Sequence, residues 1–177
     1  YEEVSTGLER TVFALEPNPA YVLGKYWDVL LWNRAAEYLF HFPTYAANLE
    51  PKPNLLQHFL TRPFNREINS AWEERFAVML ARFRADSARY PHDARLNEMI
   101  EKFKQESELF STWWPRYEVK TVTDCHKLFN DPHLGLLEFE HVNLQVSDHP
   151  ELKLMIYTAT AVTAEKLKQQ LFLTPVN

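Results

Sequence analysis

Apolar positions along the chain change period twice, and the changes divide it into thirds. Between Glu2 and Leu15, residues Leu8, Val12 and Leu15 recur at helical spacing in an otherwise polar segment, which predicts a short amphipathic helix. Glu16-Pro17-Asn18-Pro19 ends it, because proline lacks the amide that a helix needs and holds its predecessor extended. Short apolar runs follow and predict strands over Ala20 to Leu23 and Trp27 to Trp32, joined by a turn at Gly24-Lys25-Tyr26. In the second strand Trp27, Val29 and Leu31 share one face, and Leu30 and Trp32 share the other. A strand that is apolar on both faces is expected to be covered on both.

Asn33 stands where a helix N-cap belongs, ahead of Arg34 to Phe40. The middle third keeps helical spacing. Short helices are expected over Asn54 to Leu60 and Phe64 to Ile68. A long one, capped by Ser70 and running to about Arg89, places Trp72, Phe76, Met79, Leu80 and Phe83 on one face. Pro91 and Asp93 restart a helix that continues to about Gln105, and Glu108 to Trp114 adds another. The final third returns to strands, over Tyr117 to Val122, Cys125 to Phe129, Leu134 to Val146 and Leu152 to Thr160. Asp131-Pro132-His133 and Asp148-His149-Pro150 are the expected turns. Alternation in the long strand changes phase, since Leu137 and Phe139 share one parity and Val142, Leu144 and Val146 the other. A bulge near Glu140 is the expected remedy. Thr163 to Leu173 closes the chain as an amphipathic helix with Leu167 and Leu171 inward. Two strands, several helices and then further strands predict an α+β fold with one antiparallel sheet.

Composition narrows the chemistry. Hydrophobic residues make up 46% and aromatics 14%, so the 177 residues have a core to bury and suit a compact domain. Three glycines are too few for a phosphate-cradling loop. A formal net charge of −5, with Lys and Arg interleaved among Asp and Glu, argues against nucleic-acid binding by this segment itself. The single Cys125 excludes a disulfide framework or a thiolate zinc cluster and fits a cytoplasmic setting. No apolar run approaches the roughly 18 residues of a membrane span. No signal peptide is evident, and the start at Tyr1 suggests a piece of a longer protein.

Trp32-Asn33-Arg34-Ala35-Ala36-Glu37-Tyr38-Leu39-Phe40 is similar to the strand-to-helix junction of PAS domains. Pro19-Ala20-Tyr21-Val22-Leu23-Gly24, followed by Trp27-Asp28-Val29-Leu30 and Trp32-Asn33-Arg34-Ala35-Ala36, resembles the opening signature of the MmyB-like transcription regulator ligand-binding domain. Asn54-Leu55-Leu56 with Phe59, Trp72 with Arg84-Ala85, and Pro91, Asp93 and Leu96 keep that family's order. So do Ser107, Phe110 and Trp113, then Lys127, Phe129, Pro132 and Gly135, and finally Tyr157-Thr158-Ala159. Asp131 departs from the pattern, standing where a histidine is expected before Pro132. The resemblance implies a PAS-like five-stranded antiparallel sheet with several helices inserted between strands 2 and 3 and helices at both ends. Residues 1–16 would form an N-terminal linker helix and 17–177 the ligand-binding domain. A helix-turn-helix domain outside this chain would hold DNA, the regulator being a homodimer.

PAS-like folds keep a cavity between sheet and helices, and the aromatic supply suits a small hydrophobic or amphipathic ligand, a fatty acid being the best match. Candidate ligand contacts are Trp27, Val29, Leu31, Trp72, Phe76, Leu80, Phe110, Trp113, Phe139 and Tyr157. Arg116 and His141 are the candidate anchors for a carboxylate; Phe83 and Tyr117 belong to the same aromatic supply. The plainer reading of each aromatic is core packing, and of each cation a surface side chain. Cys125, His126, Asp131 and His133 have no spacing that defines a metal site. No catalytic motif and no axial-ligand motif for a haem is present, so neither an enzyme nor a cofactor is expected. The alternative to a ligand sensor is a protein-interaction module whose apolar face takes a partner.

Overall fold

The computed structural model describes residues 3–61, 72–116 and 125–173. Ser5 opens helix α1 (Thr6–Ala14) by accepting a hydrogen bond from the Leu8 amide, which satisfies one of the orphan donors of the first turn. Beyond the proline-rich stop the chain enters β1 (Ala20–Leu23), which pairs antiparallel with β2 (Val29–Trp32) and with β5 (His149–Ala159). β5 pairs antiparallel with β4 (Gly135–Val146), and β4 with β3 (His126–Asp131), so the sheet order is β2-β1-β5-β4-β3. Between β2 and β3 the described residues hold α2 (Arg34–Phe40), α3 (Leu55–Thr61), α4 (Trp72–Ser87), α5 (Ala94–Glu106) and α6 (Glu108–Trp113); α7 (Ala161–Leu173) follows β5. This is an α+β protein with an open antiparallel sheet, as the order of elements predicts.

The chain forms two compact units. One comprises Tyr1–Asn54 and Asp124–Asn177 and carries the sheet with α1, α2 and α7; the other, Leu55–Thr123, carries α3 to α6. In the sheet-bearing unit Val12 of α1 packs with Ala20, Val22, Leu31, Leu152, Leu154 and Ile156 in one buried cluster, and Leu8 and Leu15 close over it. That is the α1-side face of the sheet, and full burial of Val12 contributes about 1.5–3 kcal/mol to its docking. Cross-strand partners share a face, so the register gathers Tyr21, Trp32, Met155, Tyr157, His141, Phe139, Leu137 and Phe129 on the opposite face.

Three local expectations do not hold. Trp27 is not in β2: it takes a left-handed φ of 63° in the turn, where its amide donates to the Gly24 carbonyl. A register shift pairs Leu23 with Val29 and Val22 with Leu31, so Leu31 joins the α1-side cluster instead of sharing a strand face with Trp27 and Val29. In β4 the register runs unbroken through Glu140, from Phe139 opposite Ala159 to Gln145 opposite Lys153, and shifts only between Gln145 and Val146. The change of apolar parity has another cause. Leu137, Phe139 and His141 are buried on one face, whereas Val142 and Leu144 lie exposed on the other.

In the helical unit α4 buries Trp72, Phe76, Leu80 and Phe83 at spacings of four, four and three residues. Asp93 caps α5 by accepting from the Leu96 amide at 2.9 Å, and Ser107 caps α6 through the Phe110 amide at 3.1 Å. Arg84 donates to the carbonyl oxygens of Trp113 and Trp114 at 3.2 and 2.5 Å, supplying partners at the end of α6. The expected helix over Phe64 to Ile68, the Ser70 cap, and the strand over Tyr117 to Val122 lie outside the described residues.

Candidate ligand site

The sheet face opposite α1 is built around Tyr157. Its ring centroid lies 4.9 Å from Phe40, 4.7 Å from His141, 6.2 Å from both Phe129 and Phe139, and 6.4 Å from Tyr21. The strands bring four of these rings together by register: His141 sits directly opposite Tyr157, Phe139 is two residues along β4, and Phe129 lies one strand further out opposite Leu137. Helix α2 supplies the rest. Asn33 starts it by accepting from the Ala36 amide, and His41 ends it in a left-handed conformation that turns the chain back. Phe40 and Phe42 therefore both reach Tyr21, at 5.6 and 5.7 Å. Edge-on aromatic pairs of this kind contribute about 0.5–1.5 kcal/mol each beyond the area they bury.

The surface is mostly apolar, its polar groups being the His141 imidazole and the Tyr21 and Tyr157 hydroxyls. Phe139 is fully buried and His141 is 7% exposed, whereas Tyr157 and Phe40 keep partial exposure. Asp131, placed at the end of β3, accepts from the Tyr38 hydroxyl at 3.1 Å and from the amides of His133 and Leu134 at 2.8 Å each, all through Oδ1. One carboxylate thus shapes the β3–β4 turn and ties α2 to it. Burial, and secondarily the Asp131 charge and hydrogen bond, push the Tyr38 hydroxyl above the ordinary tyrosine range.

Of the residues expected to contact a ligand, Phe139, His141 and Tyr157 come together on this face. Val29 is buried on β2 beside Leu23, and Trp27 is buried in the preceding turn. In the helical unit Phe59, Trp72 and Phe76 form a parallel stack with centroids 5.3 to 5.9 Å apart, and Trp113 meets Phe76 at 5.8 Å. Phe110 stacks on Trp114 at 5.1 Å, and Leu80 is buried. Arg116 is exposed and holds its guanidinium 5.3 Å from the Trp113 ring centroid, within cation–π range. Tyr117 lies outside the described residues. Sequence reasoning left Tyr21, Phe40, Phe42 and Phe129 out of the site. The odd parity that Tyr21 shares with Leu23 was a usable signal; the reversal at His41 that delivers Phe42 was not.

No helix among the described residues is long and apolar enough to cross a membrane. Among the same residues no group of three or more His, Cys, Asp and Glu side chains is placed to hold a metal ion. An open five-stranded antiparallel sheet with helices inserted between its second and third strands defines a PAS-like module, and the aromatic face around Tyr157 lies on that sheet. The family model described as the MmyB-like transcription regulator ligand binding domain matches residues 4–171. The chain belongs to that family, whose members are ligand-binding domains of transcription regulators. No curated protein matches the chain.

Proposed function

We propose that this chain is the sensing part of a one-component regulator: it binds a small hydrophobic or amphipathic molecule, fatty-acid-like in character, and conveys its presence to a helix-turn-helix segment outside these residues. The observation that carries the reading is the sheet face around Tyr157, where an apolar surface of five further rings includes the single buried imidazole of His141. An acyl chain suits the aromatic rings, and a carboxylate headgroup accepts a hydrogen bond from the His141 ring. Tyr21, Phe129, Phe139, His141 and Tyr157 are the proposed contacts, with Trp27 and Val29 at the neighbouring strand edge. Leu31, which packs under α1, drops out of this group. The work is non-enzymatic. A ligand with different affinity for two conformations shifts their populations, and with them the affinity for DNA.

Native mass spectrometry of the purified protein, followed by denaturing extraction, tests the reading. A stoichiometric amphiphile is the expected result, and His141→Leu is expected to lower retention of a carboxylate-bearing ligand about tenfold, equivalent to about 1.4 kcal/mol. An empty protein that also takes up no added fatty acid would overturn it.

A second reading, a protein-interaction module, draws support from the α1-side face, where Phe13, Val142 and Leu144 are exposed beside α1. The same surface is where we propose that two copies of a cytoplasmic dimer meet. Leu144→Asp is expected to shift sedimentation toward the monomer without unfolding the chain; an unchanged sedimentation coefficient would refute that placement.

A further inference from the structure

Asn33 does more than cap α2. It is 1% exposed, and its side chain makes all four of the hydrogen bonds that an amide group offers. Oδ1 accepts from the Ala36 amide at 3.0 Å and from the Ala20 amide at 3.1 Å. Nδ2 donates to the Val12 carbonyl at 3.2 Å and to the Asn18 carbonyl at 2.9 Å. The Asn33 amide adds a fifth bond, to the Ala20 carbonyl at 3.1 Å. One side chain therefore holds the last turn of α1, the segment after it, the start of β1 and the first turn of α2.

The segment between α1 and β1 also grips the end of β5. Asn18 Oδ1 accepts from the Ala159 amide at 2.9 Å, and the Tyr157 amide donates to the Pro19 carbonyl at 2.9 Å. Glu16 adds a tie to α2 by accepting from the Ala35 amide at 3.3 Å. A continuous set of hydrogen bonds thus runs from the backbone of Tyr157, at the centre of the aromatic face, through Pro19 and Asn18 to Asn33, and from Asn33 to the carbonyl of Val12 in α1.

We propose that Asn33 is a positioning residue for signal output: it locks α1 to the sheet core, so that α1 moves as one body with β1, α2 and the end of β5 instead of fraying from them. A buried amide whose every donor and acceptor is satisfied has one good geometry, and losing the Nδ2 donors leaves the Val12 carbonyl with only the Leu15 amide, at 3.3 Å, and takes a donor from the Asn18 carbonyl in a water-poor place. A displacement of β5 caused at Tyr157 is then carried to α1 and not absorbed in the residues between. The use of the latch in signalling rests on the sensor reading above; the latch itself is tested without any ligand.

Amide hydrogen exchange measures whether α1 opens alone or with the core, since elements of one cooperative unit share an opening free energy. In the wild-type chain the amides of Val12, Phe13 and Ala14 are expected to exchange with protection within about tenfold of those of Val22 and Ile156. Asn33→Asp keeps the Oδ1 acceptor and removes both Nδ2 donors, and is expected to speed exchange at the end of α1 by more than about a hundredfold while β4 retains its protection. Unchanged α1 protection in Asn33→Asp would overturn the proposal. So would a wild-type α1 that exchanges more than about a hundredfold faster than β1, and that comparison decides by itself if the variant does not fold. Failure to find a ligand would overturn the sensor reading and leave the exchange result standing.

Discussion

Truncating Phe139 tests the central packing of the sheet-bearing unit. Its side chain is fully buried, with edge-on contacts to Phe129 at 5.8 Å and Tyr157 at 6.2 Å. Phe139→Ala removes the transfer free energy of a whole ring and leaves a cavity that its neighbours, fixed on β3 and β5, fill only in part. Such replacements cost about 3–5 kcal/mol, and the lost ring pairs belong to the upper half of that range. For a chain of this length each kcal/mol moves the melting temperature by about 2–4 °C, so a shift of about 8–20 °C is expected. Circular dichroism during heating and urea titration is the assay. If the two compact units unfold in separate steps, only the transition of the sheet-bearing unit moves. Phe139→Leu keeps most of the apolar volume and is expected to cost roughly 1–2 kcal/mol. A loss below about 1 kcal/mol in Phe139→Ala would refute the reasoning, because it would mean that the ring is not packed as its burial indicates.

Further outcomes follow from individual contacts. Burial raises the Glu16 carboxyl above its ordinary 4.5, more than the Ala35 and Arg34 amides and the Arg34 charge lower it, and the Glu37 charge adds to the rise. The folded state therefore binds the proton more tightly, so Glu16 contributes stability fully below pH 4.5 and loses it as pH rises through the raised value. Glu16→Gln is expected to melt at an increasingly higher temperature than wild type as pH goes from 4 to about 7, and parallel profiles would contradict this. Tyr38→Phe removes the hydrogen bond to Asp131 and is expected to cost about 1 kcal/mol in urea unfolding, whereas Asp131→Ala also strips the partners of the His133 and Leu134 amides and is expected to cost more. Asp93→Ala deletes the cap of α5 and is expected to cost about 1 kcal/mol, with loss of protection at the Leu96 amide.

Local chemistry was legible wherever a residue acts on its immediate neighbours. Asn33 and Asp93 each cap the helix that follows, and the periodicity of Trp72, Phe76, Leu80 and Phe83 marks the buried stripe of α4. Prolines 17 and 19 end α1 close to where their missing amides require. The errors arose where two segments far apart in sequence had to agree. The turn at Trp27 and the register shift against β1 moved Leu31 to the α1 side, and parity counted within β2 alone carries no trace of that shift. In β4 the change of apolar parity signalled a change in which face is covered, since Val142 and Leu144 remain exposed while Leu137 and Phe139 are buried.

The amino-acid sequence alone determined the class of the fold, the order and nature of nearly all described elements, and a family signature that spans most of the chain, because propensity, capping and hydrophobic period are written over a few consecutive residues. Tertiary structure alone decided which rings meet at Tyr157 and what Asn33 holds. Apart from the cap bond to Ala36, those contacts join residues from 13 to 141 positions apart, and only strand register and the path of the chain after α2 bring them within reach.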